Sequence, residues 1–201
     1  MSRKINTYYA ILRRLTHSMI ITDKTGRKMD LQAGAERIVR SVTECGKRRG
    51  KLMFIGNGAS ASISSHMAID FWKNAGIKAT AFNDPALLTC LSNDYGYERV
   101  FAEPIKMFSD KGDILIAISS SGASVNILRA VEAARSKGVK VITLTGFSKN
   151  NPLRKSGDMN FYIPADRYSH VEIMHHSICH YLLDIIVDRK RIGIRRGHRE
   201  E

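Results

Sequence analysis

Two short runs constrain this chain most: Gly56-Asn57-Gly58-Ala59-Ser60 at the end of the apolar stretch 51–55, and Ile118-Ser119-Ser120-Ser121-Gly122-Ala123-Ser124 at the end of 113–118. Each leads from a strand-like apolar run directly into a segment of helical periodicity. The surrounding order repeats that alternation. KLMFIG is followed by a helix to Asn74, KATAFN, DILIAISS, a helix to Lys137, VKVITLTG, MNFYIP, and a last helix over about 169–188. Such βαβ alternation predicts an α/β fold, a three-layer αβα sandwich whose parallel sheet is covered on both faces.

Upstream, Tyr8, Tyr9, Leu12, Leu15, Met19 and Ile20 recur at helical spacing over 6–22, and Leu31, Ala35, Ile38, Val39 and Val42 do so over 30–45. Two N-terminal helices are therefore expected before the first strand. An apolar stripe that a small sheet cannot cover is often buried against a second copy, so a symmetric assembly is expected.

At 201 residues the chain suits one domain, expected over 1–188, with a flexible basic tail over 189–201. Cys45, Cys90 and Cys179 lack CxxC spacing, which fits a reducing cytoplasm better than a disulfide scaffold. The opening residues are too interrupted by charge for a secretory signal or a membrane span. The net charge of +13 favours anionic ligands without choosing among them. Much of it sits in Lys47-Arg48-Arg49, Arg189-Lys190-Arg191 and Arg195-Arg196, the pattern of solvated charge runs, and no nucleic-acid-binding motif accompanies them.

Glycines let backbone amides approach a ligand, and a helix start adds partial positive charge. The serines add neutral donors, which suits a phosphate monoester that must be released again. A single N-capping serine would explain one hydroxyl but not Ser119, Ser120, Ser121 and Ser124 together. Neither a Walker lysine nor a dinucleotide fingerprint is present, so no nucleotide cofactor is expected.

Acid and imidazole groups follow. His66 and Asp70 share one helical face, and Glu172, His176 and His180 succeed each other at four-residue spacing. A carboxylate with an imidazole can move protons near neutral pH, whereas a surface ion pair is the alternative at such spacing.

The turns GNGAS and ISSSGAS and the run VITLTG resemble the SIS (sugar isomerase) domain, over about 33–187. Within it the chain is similar to the phosphoheptose isomerases, whose GNGGSxxxxxHFAEE and QExHxxxxH motifs read here GNGASASISSHMAID and EIMHHSICH. The resemblance implies isomerisation of sedoheptulose 7-phosphate to D-glycero-D-manno-heptose 7-phosphate, with Asp70 as base and His180 as acid. It implies sugar-phosphate contacts from Asn57, Gly58, Ser60, Ser119, Ser120, Ser121, Ser124 and Glu172, and from Asn93 and Asp94 in a loop over 91–97. It also implies Zn²⁺ on His66, Asp70, Glu172 and His180, and a homotetramer with sites at subunit interfaces. Aspartate at 70, glutamate at 172 and asparagine at 74 depart from the family's glutamate, glutamine and arginine. The alternative is a non-catalytic binding protein similar to the replication-initiator-associating SIS proteins.

Overall fold

The computed structural model describes residues 4–197. Helix α1 (Ile5–Ser18) ends where Met19 turns extended, at φ −61° and ψ 149°. The helix expected over 6–22 stops there because Ile20, Ile21 and Thr22 are β-branched and fit a pleated surface better than a helix. They form strand β1 (Ile20–Asp23). The Asp23 carboxylate accepts from the N–H groups of Thr25 and Arg27, closing a hairpin onto β2 (Lys28–Met29).

Asp30 caps α2 (Leu31–Lys47), its carboxylate accepting from the Ala33 N–H at 3.1 Å. The chain then runs β3 (Lys51–Gly56), α3 (Ala59–Ala75), β4 (Lys78–Ala81), α4 (Pro85–Tyr95), a 3₁₀ turn (Tyr97–Arg99) and α5 (Ala102–Phe108). It continues through β5 (Ile114–Ser119), α6 (Val125–Ser136), β6 (Lys140–Thr145), β7 (Met159–Tyr162) and α7 (Tyr168–Gly197). The last helix does not end near 188: residues 189–197 of the basic segment continue it, and 198–201 lie outside the described residues.

Among the described residues the strands form one sheet in the order β2-β1-β7-β6-β5-β3-β4. The five strands from β7 to β4 in that order are mutually parallel, whereas β1 pairs antiparallel with both β7 and β2. The sheet is therefore mixed, not wholly parallel, because segment 20–29 forms a hairpin whose strand β1 runs antiparallel to β7 at one edge.

Side chains alternate across it. Leu52, Phe54, Ile116, Ile118, Ile142 and Leu144 face α2, α3 and α7, while Met53, Ile55, Leu115, Ala117 and Val141 face α5 and α6. Both faces are covered, which is why these strands read as unbroken apolar runs. Phe54 and Phe71 meet with ring centroids 5.6 Å apart, and truncating either to alanine removes about 3 to 5 kcal/mol by transfer and cavity effects.

From β3 the chain crosses by α3 to β4, and from β5 it crosses the other way by α6 to β6. Right-handed crossovers in opposite directions put α3 and α6 on opposite faces. The crevice they leave at the C-terminal ends of β3 and β5, where Gly56 stands beside Ile118, is the topological switch point.

Candidate functional site

Both glycine and serine turns open into that crevice. In the first, Gly58 has φ 56° and ψ −126°, a backbone state that side chains disfavour, and it starts α3 with no side-chain cap. The N–H of Ser60 donates to the Asn57 carbonyl at 3.0 Å, and Ser60 itself is buried.

In the second turn, Ser119 Oγ accepts from the Gly122 N–H at 3.2 Å and Ser121 Oγ from the Ala123 N–H at 3.3 Å. Ser124 stands at the N-cap of α6 but makes no side-chain cap hydrogen bond. Ser120 Oγ is buried without a hydrogen-bond partner among the described residues. Helix capping therefore does not account for Ser120 or Ser124, although it was the simplest structural reason for a serine here.

Behind this turn sits a residue with no signal in the sequence. Buried Asn151 donates from Nδ2 to the carbonyls of Gly146 and Ser148 and accepts on Oδ1 from the Arg154 N–H. Gly122 has φ 62°, and a Cβ there would lie 2.0 Å from Asn151 Oδ1.

The acid and imidazole groups gather on the outer side of the helical layer, where α3 packs against α7. Asp70 Oδ2 lies 3.3 Å from His66 Nε2 and 4.0 Å from His180 Nδ1. The carboxylate is 17% exposed and the two imidazoles 53% and 40%, so the group is open on the imidazole side. His176 completes it: its Nε2 lies 3.1 Å from His180 Nε2, and its ring is 5.4 Å from that of His66. Burial first, then the neighbouring His180 and His66, hold the His176 pKa below its ordinary value, while Asp70 pulls the other way.

Ligand-type nitrogens of His66, His176 and His180 all lie within 4.8 Å of one another, a donor set suited to a borderline-soft divalent metal. That trio shares His66 and His180 with the expected quartet and adds His176, while Asp70 Oδ2 lies beside it. Glu172 is half-buried, and burial raises its pKa. His176 was visible in the sequence as a member of the i, i+4 series, but nothing there separated it from a solvated side chain.

Along α3 the two parts of the site stand apart. From Ser60 to His66 and Asp70 the α3 axis rises by about 9 and 15 Å. Asn93 and Asp94 lie in the last turn of α4, not in a loop, and both are exposed; Asp94 accepts from Cys90 and from Asn93. That segment reaches the first turn through Tyr97, whose hydroxyl donates to Asn57 Oδ1 at 3.1 Å.

His175, between the cluster and the sheet, is fully buried, and burial lowers its pKa to about 4. Neither ring nitrogen meets full hydrogen-bond geometry with a partner, and a contact with the Thr145 backbone opposes the shift without overcoming burial.

A switch-point crevice lined with hydroxyls, and a carboxylate held between imidazoles on adjoining helices, define a sugar-phosphate isomerase domain. Comparison with known proteins agrees. The chain belongs to the SIS domain family, whose pattern matches residues 13–146, and within it to the phosphoheptose isomerases. It is 36% identical to the phosphoheptose isomerase of Sodalis glossinidius over 79% of this chain and 84% of that protein. The structure is similar to phosphoheptose isomerases from Francisella tularensis (TM-score 0.80, 29% identity, 94% of this chain and 100% of that one) and Neisseria gonorrhoeae (TM-score 0.78, 27% identity, 90% and 97%).

Proposed function

We propose that this protein converts sedoheptulose 7-phosphate to D-glycero-D-manno-heptose 7-phosphate in the cytoplasm, working as a homotetramer with sites at subunit interfaces. The observation that carries this reading is the placement of Asp70 Oδ2 between His66 and His180, at 3.3 and 4.0 Å, on two packed helices.

The phosphate group binds the helix starts and hydroxyls of the two turns, through Asn57, Gly58, Ser60, Ser119, Ser120, Ser121 and Ser124. Asp70 removes a proton from C1 of the ketose, leaving an enediolate, and the proton returns at C2. His180 gives a proton to O2 and takes one from O1, so C1 is oxidised, C2 is reduced and no external oxidant is needed. Glu172, Asn93 and Asp94 contact the sugar hydroxyls, the last two reaching a neighbouring subunit's site from the exposed end of α4.

His66, His176 and His180 would hold a Zn²⁺ ion, with Asp70 beside them and Glu172 outside the imidazole group. Such an ion supplies Lewis-acid polarisation of a sugar oxygen. Exposed Ile69 and Trp72 on α3 and Ile173 and Tyr181 on α7 lie close in sequence to the cluster residues, and this exposed apolar rim supports a role for the face in assembly.

The test is to incubate the protein with a panel of ketose and aldose phosphates of five to seven carbons, with and without Zn²⁺, and follow interconversion by NMR. Turnover of a heptose phosphate supports the reading. Absence of turnover on every member of the panel rejects it and favours the non-catalytic binding role.

A further inference from the structure

The Asn57 side chain, expected to contact substrate, is already occupied by the protein. Its Nδ2 donates to Asn126 Oδ1 at 3.0 Å, and its Oδ1 accepts from Asn126 Nδ2 at 2.9 Å and from the Tyr97 hydroxyl at 3.1 Å. The acceptor oxygen has its two donors and one amide proton is used, leaving a single donor over.

Asn126 is 3% exposed, in the first turn of α6, and its Oδ1 also accepts from the Ile127 N–H at 3.0 Å. The reciprocal amide pair therefore joins the start of α3 to the start of α6, across adjacent strands and from opposite faces of the sheet. Tyr97 adds a third element. It follows α4 and Gly96, and the same 3₁₀ turn is held to α6 by an ion pair of Glu98 with Arg129 at 3.6 Å.

We propose that Asn126 and Tyr97 are positioning residues for the phosphate grip: the amide pair sets the spacing between the two helix starts, and Tyr97 docks the segment carrying Asn93 and Asp94 against them. This rests on the reading that the two turns hold the substrate's phosphate. A monoester bridging two helix starts gains from both only when their separation matches its oxygens, and that separation has no other side-chain clamp among the described hydrogen bonds. Asn57 thus acts through geometry, with at most one donor left for ligand.

The experiment uses the full chain and two readouts: inorganic phosphate binding followed by ³¹P NMR, and steady-state kinetics with sedoheptulose 7-phosphate. Asn126→Leu is expected to raise both the phosphate Kd and KM about tenfold while kcat changes less than about threefold. Asn126→Asp keeps one amide bond but places a carboxylate at the grip, so it weakens phosphate binding further at low salt, and added salt narrows that extra defect relative to Asn126→Leu by screening the carboxylate's repulsion of phosphate. Tyr97→Phe, which removes only a hydroxyl at an exposed position, raises KM about threefold and adds little in the Asn126→Leu background, because its acceptor is then no longer oriented.

Unchanged Kd and KM in folded Asn126→Leu and in Tyr97→Phe overturn the proposal, as does a loss confined to kcat. If Asn126→Leu fails to fold, Tyr97→Phe decides alone. Wild-type protein that binds neither phosphate nor sugar phosphate overturns the phosphate reading itself, a result distinct from wild-type binding that the variants leave intact.

Discussion

His176 Nε2 and His180 Nε2 stand 3.1 Å apart, so in the metal-free neutral state one ring donates and the other accepts. If His180 accepts at Nε2, its Nδ1 carries the proton on the side of Asp70, 4.0 Å away. The tautomer that His180 presents to the carboxylate is thus coupled to the one His176 adopts.

Asp70→Asn and His180→Ala should each lower kcat by about 10² to 10⁴, the usual contribution of a positioned acid or base, with far-ultraviolet circular dichroism unchanged. Wild-type turnover by both variants would dismiss the acid and base assignments.

Metal affinity separates the two candidate ligand sets. His176→Ala should weaken Zn²⁺ binding on the order of 100-fold, equivalent to about 3 kcal/mol, whereas Glu172→Ala should change it little. Calorimetric titration and metal content after desalting measure this, and the reverse ranking would restore the set containing Glu172.

Stability should fall on acidification through His175. Its folded pKa of about 4 lies below its ordinary 6.5, so between those values the unfolded chain binds a proton that the folded chain refuses. The stabilisation is complete above about pH 6.5 and is lost progressively toward pH 4, by roughly 3 kcal/mol in total. Urea unfolding of wild type and His175→Phe at pH 7 and pH 4.5 measures it. Equal pH dependence in the two proteins would assign the acid sensitivity elsewhere.

Of the three cysteines, only Cys90 is exposed. Burial raises Cys45 to about 11 and Cys179 to about 12, which keeps both as inert thiols. A thiol reagent should modify one cysteine per folded chain and all of them after denaturation, and mass mapping should place the native label on Cys90.

Gly122→Ala should destabilise the second turn, because φ 62° is strained for alanine and its Cβ would lie 2.0 Å from Asn151 Oδ1. A loss of about 2 to 4 kcal/mol is expected, accompanied by weaker phosphate binding. A stability equal to wild type would mean that Asn151 yields freely.

The parallel strands and both turns were legible because period and composition agree there: apolar runs of strand length end in glycine and serine, and helical periodicity follows. Segment 20–29 was not, since Ile20 continues the helical spacing of Leu12 and Leu15, and the β-branched run 20–22 is too short to outweigh it until pairing with β7 is added. Helix α4 was missed because its apolar stripe is short, with only Leu87, Leu88 and Leu91 packing partly buried on the core, although Asp84 followed by Pro85 is a recognisable start. In the site, His66, Asp70 and His180 were legible as motif residues at helical spacing. Asn126, Asn151 and the part played by His176 depend on which elements the fold brings together, which local spacing does not encode.

The hairpin that flanks β7 also settles how this molecule can meet others. One rim of the sheet finishes in the two-residue strand Lys28–Met29 and the other in Lys78–Ala81, which begins on a lysine. Rims so brief, each opening on a lysine, give an incoming chain few backbone groups to pair with. Growth by continuing the β-ladder is thereby discouraged, and any association between copies is left to side chains on the helical flanks.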